Sequence, residues 1–593
     1  MENIKLLFKY IIIYSFKKSP LLSIGYFIIE TLSYAMPWIR IIITALFIDA
    51  VQIFINNKTI DKKFILISFL FFMMFLINYF INLISKQIYI RISKKVDNQF
   101  EKDILKKNAK LRYDILENHE NYELIERIYD NSENAITIGL NEISAFIKII
   151  VEILSISAII IKSSILIGTI VLILLILMAI IGYYSGEREY ESYTESMKYF
   201  RKAKVYDLML NTGEMADERV LFDYGDNIAK KFENLYEKAR RIDIKATMKN
   251  IARVKILSIL MAVLAFGISA SLLFVLKSGK ISSGMFISIT GAVFNLIHPM
   301  SWTFSNIVKD LVRRINYIKD YQKYIKLPEI EKDIYLKTKN IKDIKAIEFK
   351  NVSFKYPNSN KWILNNINIK LEKGKTYAFV GENGAGKTTI IKLLLGLYEE
   401  YEGEIYINNK KQKNTNIEEW YKYFSIVYQD YTKYPLTLEE NIKIGDVKKN
   451  NNELYNNIIH LTGVDKIMKK LPEKEKTKLG YINGKGYNLS EGQWQKVIMA
   501  RALYRDAPIQ IFDEPTSALD PIAEREIFER FFSVPYKSIK ILITHRLGGI
   551  RYADEIIVFS NGKIIERGTH DDLIRKEGVY YEMFEKQRRW YGE

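Results

Sequence analysis

A glycine-rich run, GENGAGKTT at positions 381–389, has the residue types and spacing that bind nucleotide phosphates. It fits the pattern G-x-x-x-x-G-K-T and stands between a β-rich run, TYAFV, and an amphipathic helical stretch. Glycines allow backbone N–H groups to close around phosphates, and the N-terminus of a helix favours anions. We therefore expect Lys387 to reach the outer phosphates and the Thr388 hydroxyl to bind Mg²⁺. The predicted loop residues are Gly381, Asn383, Gly384, Ala385, Gly386, Lys387, Thr388 and Thr389.

Two acidic residues follow an apolar run farther along the chain, in the sequence IFDEPTSALD. A strand ending at Asp513 and Glu514 would place the first carboxylate near the metal and the second near an attacking water. Another apolar run, IKILITH, ends at His545, whose neutral imidazole is suited to hydrogen-bond a γ-phosphate. Together with the phosphate loop, these residues predict an ATPase that uses ATP and Mg²⁺.

The segment YNLSEGQWQK at 487–496 has the spacing of a nucleotide-binding signature, but Glu491 adds a negative charge where a phosphate would be expected. Ser490 and Gln493 fit the S-x-x-Q form of a helix capping box. A carboxylate in the first turn of that helix would interact favourably with the helix dipole. Gly492 allows close backbone approach. We expect a competent signature, with a weakened site as the alternative.

The composition indicates a membrane region followed by a soluble one. Of the 593 residues, 48% are hydrophobic, and these crowd into the first half of the chain. The net charge of +18 comes from Lys and Arg that concentrate beside apolar segments, which favours a cytoplasmic membrane face over nucleic-acid binding. The absence of cysteine excludes disulfides, zinc–thiolate sites and thiol catalysis.

Six apolar segments are long enough to cross a bilayer, since about 20 helical residues span roughly 30 Å of hydrocarbon. Long connections rich in Lys and Arg follow the second and fourth segments, so the positive-inside rule places these connections and the N-terminus in the cytoplasm. A change in composition around Pro328 indicates a linker at 326–345 between a transmembrane domain, 1–325, and a soluble α/β domain, 346–593. The predicted spans are 20–47, 64–91, 136–161, 164–185, 256–277 and 284–308.

The motifs together resemble the nucleotide-binding domain of ABC transporters, and the whole chain resembles a half-size ABC exporter of the type I (type IV) exporter fold. That resemblance implies a helical six-span transmembrane domain followed by an α/β P-loop domain. It also implies a domain-swapped dimer, in which ATP lies between the phosphate loop of one copy and the signature of the other. Coupling helices near 118–127 and 213–223 would dock on the nucleotide-binding domains.

The same resemblance implies roles for individual residues. Tyr356 matches the aromatic that stacks on adenine, and Gln429 matches the glutamine that touches the metal and senses the membrane domain. Asp520 matches a loop that joins the two copies, and His545 matches the switch histidine. The implied catalytic residues are Glu514, His545, Lys387 and Gln429, the metal ligands are Thr388, Gln429 and Asp513, and the signature contacts to ATP are Ser490, Gly492 and Gln493.

Ionisable and polar residues inside the spans are candidates for a substrate cavity. Glu30 and Glu152 would favour a cationic or polar substrate, although Glu152 is also placed to pair with Lys148 one helical turn earlier. Polar residues in the sixth span would line the same cavity or hydrogen-bond between helices. These are Asn295, His298 and Trp302.

We therefore predict an ATP-driven exporter that works as a homodimer in the cytoplasmic membrane, with its ATPase domain in the cytoplasm. The sequence that continues the signature, with Trp494 and Lys496, resembles that of exporters of ribosomally made peptides of the lantibiotic and microcin type. The alternatives are a multidrug or lipid exporter, or one half of a heterodimer in which Glu491 marks a weakened ATP site. An importer and a soluble ATPase of the DNA-repair or translation type are further alternatives, which the fused apolar spans disfavour.

Overall fold

The computed structural model divides the chain into two units. It describes residues 2–163, 165–330, 344–357, 359–480, 486–515, 525, 529, 538–544 and 549–590. The first unit comprises Met1–Lys110 and Glu120–Leu327, and the second comprises Leu111–His119 and Pro328–Glu593. Asp520, His545 and most of the predicted linker 326–345 lie outside the described residues.

The first unit is helical. Two π-helical turns, Phe8–Ile13 and Pro299–Phe304, interrupt its helical segments, and a 3₁₀ turn, Gly213–Met215, precedes one short helix. Its helices are α1 (Glu2–Leu7), α2 (Tyr14–Lys18), α3 (Pro20–Asn57), α4 (Lys62–Asn108), α6 (His119–Asp130), α7 (Ala135–Ser163), α8 (Ile165–Asn211), α9 (Ala216–Phe222), α10 (Gly225–Lys277), α11 (Ser283–His298) and α12 (Ser305–Ile325), whereas α5 (Tyr113–Glu117) belongs to the second unit.

Within the described part of the chain, three helices are long and apolar enough to cross a membrane, namely α3, α4 and α10. The helix α11 carries a shorter apolar stretch, Ser283–Ile297. At 1.5 Å per residue, the 53 residues of α10 extend about 80 Å, well beyond a hydrocarbon core of roughly 30 Å. The helices α7 and α8 contain the third and fourth predicted spans, and the six-span arrangement stays a prediction.

Two glycines on α8 allow α12 to approach closely. Gly182 and Gly186 form a G-x-x-x-G pattern, which brings helix backbones together in membrane proteins. A Cβ atom on Gly182 would lie 2.8 Å from Cβ of Val308, and one on Gly186 would lie 2.8 Å from Cβ of Val312 and 2.9 Å from the carbonyl oxygen of Lys309. Neither position has room for a methyl group, so the α8–α12 contact depends on both glycines.

The second unit is an α/β domain built on two sheets. Its four-stranded sheet has the order β2-β1-β4-β5, and its six-stranded sheet has the order β10-β9-β3-β8-β7-β6. The strands are β1 (Ala346–Phe354), β2 (Leu364–Glu372), β3 (Thr376–Gly381), β4 (Glu402–Ile407), β5 (Lys410–Lys411), β6 (Phe424–Val427), β7 (Ile509–Asp513), β8 (Ile539–Ile543), β9 (Glu555–Ser560) and β10 (Lys563–Gly568). The described helices are α13 (Lys387–Leu394), α14 (Ile417–Tyr421), α15 (Leu438–Lys443), α16 (Asn452–Thr462), α17 (Val464–Met468), α18 (Glu491–Arg505), α19 (His570–Arg575) and α20 (Val579–Trp590).

The central strands of the larger sheet run parallel and are buried along their length. β3 pairs in parallel with β8 and β9, and β7 pairs in parallel with β8 and β6. Every residue of β3, β7 and β8 is buried, which explains their almost continuous apolar sequences. Parallel pairing also places the carboxyl ends of β3 and β7 at the same edge of the sheet, with one strand between them.

The α8–α12 contact predicts that an added methyl group at Gly186 lowers the stability of the protein. Gly186→Ala is expected to destabilise the protein by about 1–3 kcal/mol, because the new methyl group overlaps Val312 and the backbone of Lys309. Gly267→Ala on α10 is the matched control, since a Cβ there has nothing within 4 Å and alanine favours a helix over glycine. Thermal unfolding of the detergent-purified chain measures both. An unfolding temperature for Gly186→Ala equal to or above that of Gly267→Ala would contradict the prediction.

Candidate nucleotide-binding site

The phosphate-binding loop begins where β3 ends. Gly381 and Gly386 adopt φ values of 153° and 102°, which glycine tolerates and other residues rarely do. A Cβ on Gly381 would lie 2.2 Å from the carbonyl oxygen of Phe559, and one on Gly386 would lie 2.6 Å from Cδ2 of Leu364. The helix α13 begins directly afterwards, at Lys387. The predicted strand–loop–helix context is therefore confirmed.

Lys387 places a positive charge inside this loop. Its Nζ donates hydrogen bonds to the carbonyl oxygens of Gly381, at 2.6 Å, and Glu382, at 2.9 Å. The side chain is buried, and burial lowers the pKa of Lys387, while Glu514 and Asp513 act in the opposite direction. An ammonium group held across the loop by backbone carbonyls is suited to meet the phosphates of a bound nucleotide.

The acidic residues at the end of β7 lie beside the start of α13. The Thr388 hydroxyl donates to Oδ2 of Asp513 at 3.3 Å, across 125 residues of sequence. Asp513 is buried, and this burial raises its pKa to about 6, against the lowering effect of the Thr388 hydrogen bond. The amide Nε2 of Gln429 donates to Oε2 of Glu514 at 3.0 Å.

The oxygen atoms gathered here suit a magnesium ion. A threonine hydroxyl, a carboxylate and a glutamine amide are hard oxygen donors, the class that Mg²⁺ prefers, usually together with substrate phosphates. Asp513 is buried next to the Thr388 hydroxyl, so a cation bound there would offset the cost of its desolvated negative charge. The donor set therefore fits the metal that the sequence pattern implies.

Tyr356 lies near the first turn of α13. Its hydroxyl is 3.0 Å from Oγ1 of Thr389, and its ring packs edge-on against Phe354 and Tyr398, with ring centroids 5.2 Å and 5.6 Å apart. The ring also borders a cavity of about 610 Å³. The structure thus brings the predicted adenine-stacking residue to the phosphate loop, through its contact with Thr389.

The signature segment forms the predicted capping box. Ser490 caps α18: its Oγ accepts from the Gln493 N–H, and Gln493 Oε1 accepts from the Ser490 N–H at 2.9 Å. The Glu491 carboxylate accepts hydrogen bonds from the Lys433 ammonium and, at 3.0 Å, from the Tyr431 hydroxyl. The hydrogen bond from Lys433 lowers the pKa of Glu491. The negative charge that appeared out of place in the sequence has a cationic partner.

Sequence reasoning missed Lys433 and Tyr431, because they lie about 60 residues before Glu491. The available signal was the sequence YTKY, which follows Gln429 and places an aromatic and a cation in one loop. Trp494, which the sequence suggested as a marker of substrate class, is 1% exposed and packs in the core around α18. Its side chain supports the fold of the domain and has no surface with which to meet a substrate.

The segment Leu111–His119 packs within the second unit. The Tyr398 hydroxyl donates to the Glu117 carboxylate, whose Oε1 also lies 3.5 Å from Nζ of Lys392. Nζ of Lys392 is 5.6 Å from the Tyr113 ring centroid and 5.7 Å from that of Tyr356. The short helix with these contacts is α5, just before the predicted coupling helix at 118–127. Lys392 links it to the tyrosine beside the phosphate loop.

A second short helix, α9, falls within the other predicted coupling range, 213–223. It displays apolar side chains to solvent: Val220, Leu221 and Phe222 are 79%, 76% and 66% exposed. A single isolated apolar residue on a surface is common, but three consecutive ones at this exposure indicate a contact surface.

The predicted cavity residues of the first unit fall in different environments. Glu30 accepts hydrogen bonds from the hydroxyls of Ser85 and, at 2.8 Å, Ser144. Glu152 lies 4.0 Å from Arg40. In the last predicted span, Asn295 is exposed, the Trp302 ring lies 5.8 Å from Nζ of Lys255, and the side chain of His298 lies outside the described residues.

Known proteins match both the ATP-binding region and most of the chain. The ABC transporter family model matches residues 364–517. Over 551 residues the chain is 30% identical to the subtilin transport ATP-binding protein SpaT of Bacillus subtilis, which covers 90% of this chain and 88% of that protein. The nisin transport ATP-binding protein NisT of Lactococcus lactis subsp. lactis is 33% identical over 313 residues, or 52% of each chain.

Lipid transporters and a solved exporter structure are also similar. The ATP-dependent lipid A-core flippase of Idiomarina loihiensis is 34% identical over 310 residues, 52% of each chain. A solved structure of a bacterial Atm1-family ABC exporter with ATP bound has the same fold, with a TM-score of 0.77 at 21% identity, covering 96% of this chain and 98% of that one. These matches confirm the predicted exporter fold, with a helical membrane region followed by an α/β domain. The chain belongs to the ABC transporter family.

Proposed function

We propose that this chain is an ATP-driven exporter of the cytoplasmic membrane that works as a homodimer, with its ATP-binding domain in the cytoplasm. The observation that carries the proposal is the meeting of Lys387, Thr388, Asp513, Glu514 and Gln429 at one edge of the sheet. The apolar helices α3, α4 and α10 in the same chain support coupling of this ATPase to transport across a membrane.

Each residue has a proposed role toward ATP as the substrate. Lys387 contributes positive charge to the phosphate loop, and Glu514 polarises the attacking water and accepts its proton. Gln429 orients Glu514 through its amide hydrogen bond. Mg²⁺, held by Thr388, Asp513 and Gln429, would neutralise phosphate charge.

The remaining assignments rest on the family resemblance. We propose that Tyr356 stacks on adenine, with its ring already placed by Phe354 and Tyr398. His545 would contact the γ-phosphate, and Asp520 would join the two copies. The backbone of the loop from Gly381 to Thr389 would surround the phosphates. This part of the backbone includes Asn383, Gly384, Ala385 and Gly386.

A second copy of the chain is the proposed partner. The chain carries both a phosphate loop and a signature with an intact capping box, so two identical copies would complete two ATP sites. The exposed apolar residues of α9 supply a surface that a second copy would cover. Because Lys433 compensates Glu491, the heterodimer with one weakened site is the less supported alternative.

The proposed substrate is a peptide of the lantibiotic type, since subtilin and nisin transport proteins are among the relatives and SpaT matches along 90% of this chain. A lipid is the second candidate, because the lipid A-core flippase of Idiomarina loihiensis has 34% identity over about half of the chain. The test is the stimulation of ATPase activity in lipid nanodiscs by purified lantibiotic precursors and by lipids. Stimulation by neither class would argue against both substrates.

Replacement of the proposed general base tests the ATPase assignment. Glu514→Gln keeps the size of the side chain, but the amide cannot accept the proton of water. Steady-state ATP hydrolysis is therefore expected to fall at least about 100-fold, at the lower end of what a general base contributes. ATP binding, measured with a fluorescent analogue, should remain. Glu453→Gln, an exposed position at the start of α16, is the control and should keep full activity. Unchanged hydrolysis by Glu514→Gln would refute the assignment.

The contacts of α5 predict that a substitution there changes the stimulation of ATP hydrolysis by substrate but not the basal hydrolysis. Tyr398→Phe removes the hydrogen bond to Glu117, and a hydrogen bond to a charged group contributes about 1.5–3 kcal/mol. Basal ATPase activity should persist, whereas the stimulation by substrate should fall severalfold, because α5 packs less firmly on its domain. Tyr129→Phe, at a tyrosine that is 52% exposed and lies outside the predicted coupling range 118–127, is the matched control. Normal stimulation in Tyr398→Phe would show that this contact does not transmit the signal.

A further inference from the structure

A cavity of about 240 Å³ lies among α3, α4 and α7 in the first unit. Its lining includes the apolar side chains of Met36 from α3 and of Met74 and Phe75 from α4. The lining also includes polar and charged side chains, which are Arg40 from α3, Asn78 and Asn82 from α4, and Lys148 and Glu152 from α7. The cavity therefore offers both apolar and charged side chains to a bound molecule.

The charged side chains of the lining carry more positive than negative charge. Arg40 lies 4.0 Å from Oε1 of Glu152, so these two groups compensate each other. Lys148 stands one helical turn before Glu152 on α7 and adds a second cation to a lining that contains one carboxylate. Glu30 is not part of this lining, and both of its carboxylate oxygens accept serine hydroxyls. The lining carries one excess positive charge.

The ammonium group of Lys148 lies far from either end of α7. Lys148 is near the middle of α7, which runs from Ala135 to Ser163, so it is about 20 Å from each end. Charged side chains at membrane depth are costly unless they are paired or face a polar cavity. The excess cation at Lys148 would be compensated by an anion entering the cavity, and the two asparagine side chains can donate further hydrogen bonds to it.

We propose that this cavity binds the anionic group of an amphiphile, a phosphate or a carboxylate, while the attached chain contacts the apolar side chains of the lining. The inference rests on the proposed export function and specifies the chemistry of the transported molecule. It reverses the cationic preference expected from Glu152 alone, because Arg40 neutralises that carboxylate. A lipid headgroup would supply the phosphate, and the C-terminus or an acidic side chain of a peptide would supply the carboxylate.

Binding to the full-length chain in an uncharged maltoside detergent tests the proposal. The probes share a twelve-carbon chain: dodecyl phosphate represents a lipid headgroup, N-lauroylglycine represents a peptide carboxylate, and N-lauroylglycinamide and dodecyltrimethylammonium are the neutral and cationic references. At least one anionic probe should bind about tenfold more tightly than both references. Preference for the phosphate would indicate a lipid source, and preference for the carboxylate would indicate a peptide source. Equal binding of all four probes would overturn the proposal.

Two variants with opposite expected effects locate the site. Lys148→Gln should weaken the anionic probe about tenfold, whereas Glu152→Gln should strengthen it severalfold, since it removes the carboxylate and leaves both cations. Lys86→Gln, at an exposed lysine of α4 outside the lining, is the matched control and should bind as the parent chain does. The gain expected from Glu152→Gln cannot arise from misfolding. Identical binding in Lys148→Gln and Glu152→Gln would place the probe elsewhere and refute the inference.

The binding measurement is independent of the proposed ATPase. The lining belongs to the first unit and the ATP-site residues belong to the second, and basal ATP hydrolysis should be unchanged in the Lys86→Gln control. If hydrolysis were insensitive to Glu514→Gln, the export function would fail while the binding data remained interpretable. If hydrolysis behaved as proposed and the anionic probes showed no preference, only the substrate chemistry would be wrong.

Discussion

Parallel pairing of β3, β8 and β7 is the constraint on which the ATP site depends. Backbone hydrogen bonds place Phe379 of β3 and Asp513 of β7 opposite the same residue of β8, Ile543, and β3 continues two residues further, to Gly381. The loop after β3 and the carboxylates after β7 must then emerge at one edge, where ligands commonly bind in parallel α/β sheets. The 3.3 Å contact between Thr388 and Asp513 is a consequence of this register.

Charge compensation by residues distant in sequence is a second theme. Glu491 resembles a defect in a phosphate-binding signature until Lys433 is placed beside it, and Glu152 resembles a cation site until Arg40 is placed beside it. In both cases the ion pair changes the ligand charge that the carboxylate alone would favour. The exposed Lys433–Glu491 pair contributes little to stability, as surface ion pairs usually do, and its importance lies in the local charge.

Features set by local sequence were predictable. The phosphate loop follows from glycine spacing between a strand and a helix, and the capping box at Ser490 follows from four consecutive residues. Features set by packing between distant segments were not. Neither the contact of Glu117 with Tyr398 nor the cavity beside Lys148 leaves a periodic trace in the sequence, because each depends on which faces of several elements meet. The spacing of Gly182 and Gly186 is local, but the identity of the helix packed against them depends on packing between distant segments.

The length of α10 has a mechanical consequence. A continuous helix of 53 residues, about 80 Å long, behaves as a stiff rod, so rotating it by about 10° around one end moves the other end by about 14 Å. That displacement exceeds the diameter of a helix with its side chains, about 10–12 Å. Long unbroken helices thus act as levers, and their stiffness converts a modest rearrangement into a large displacement.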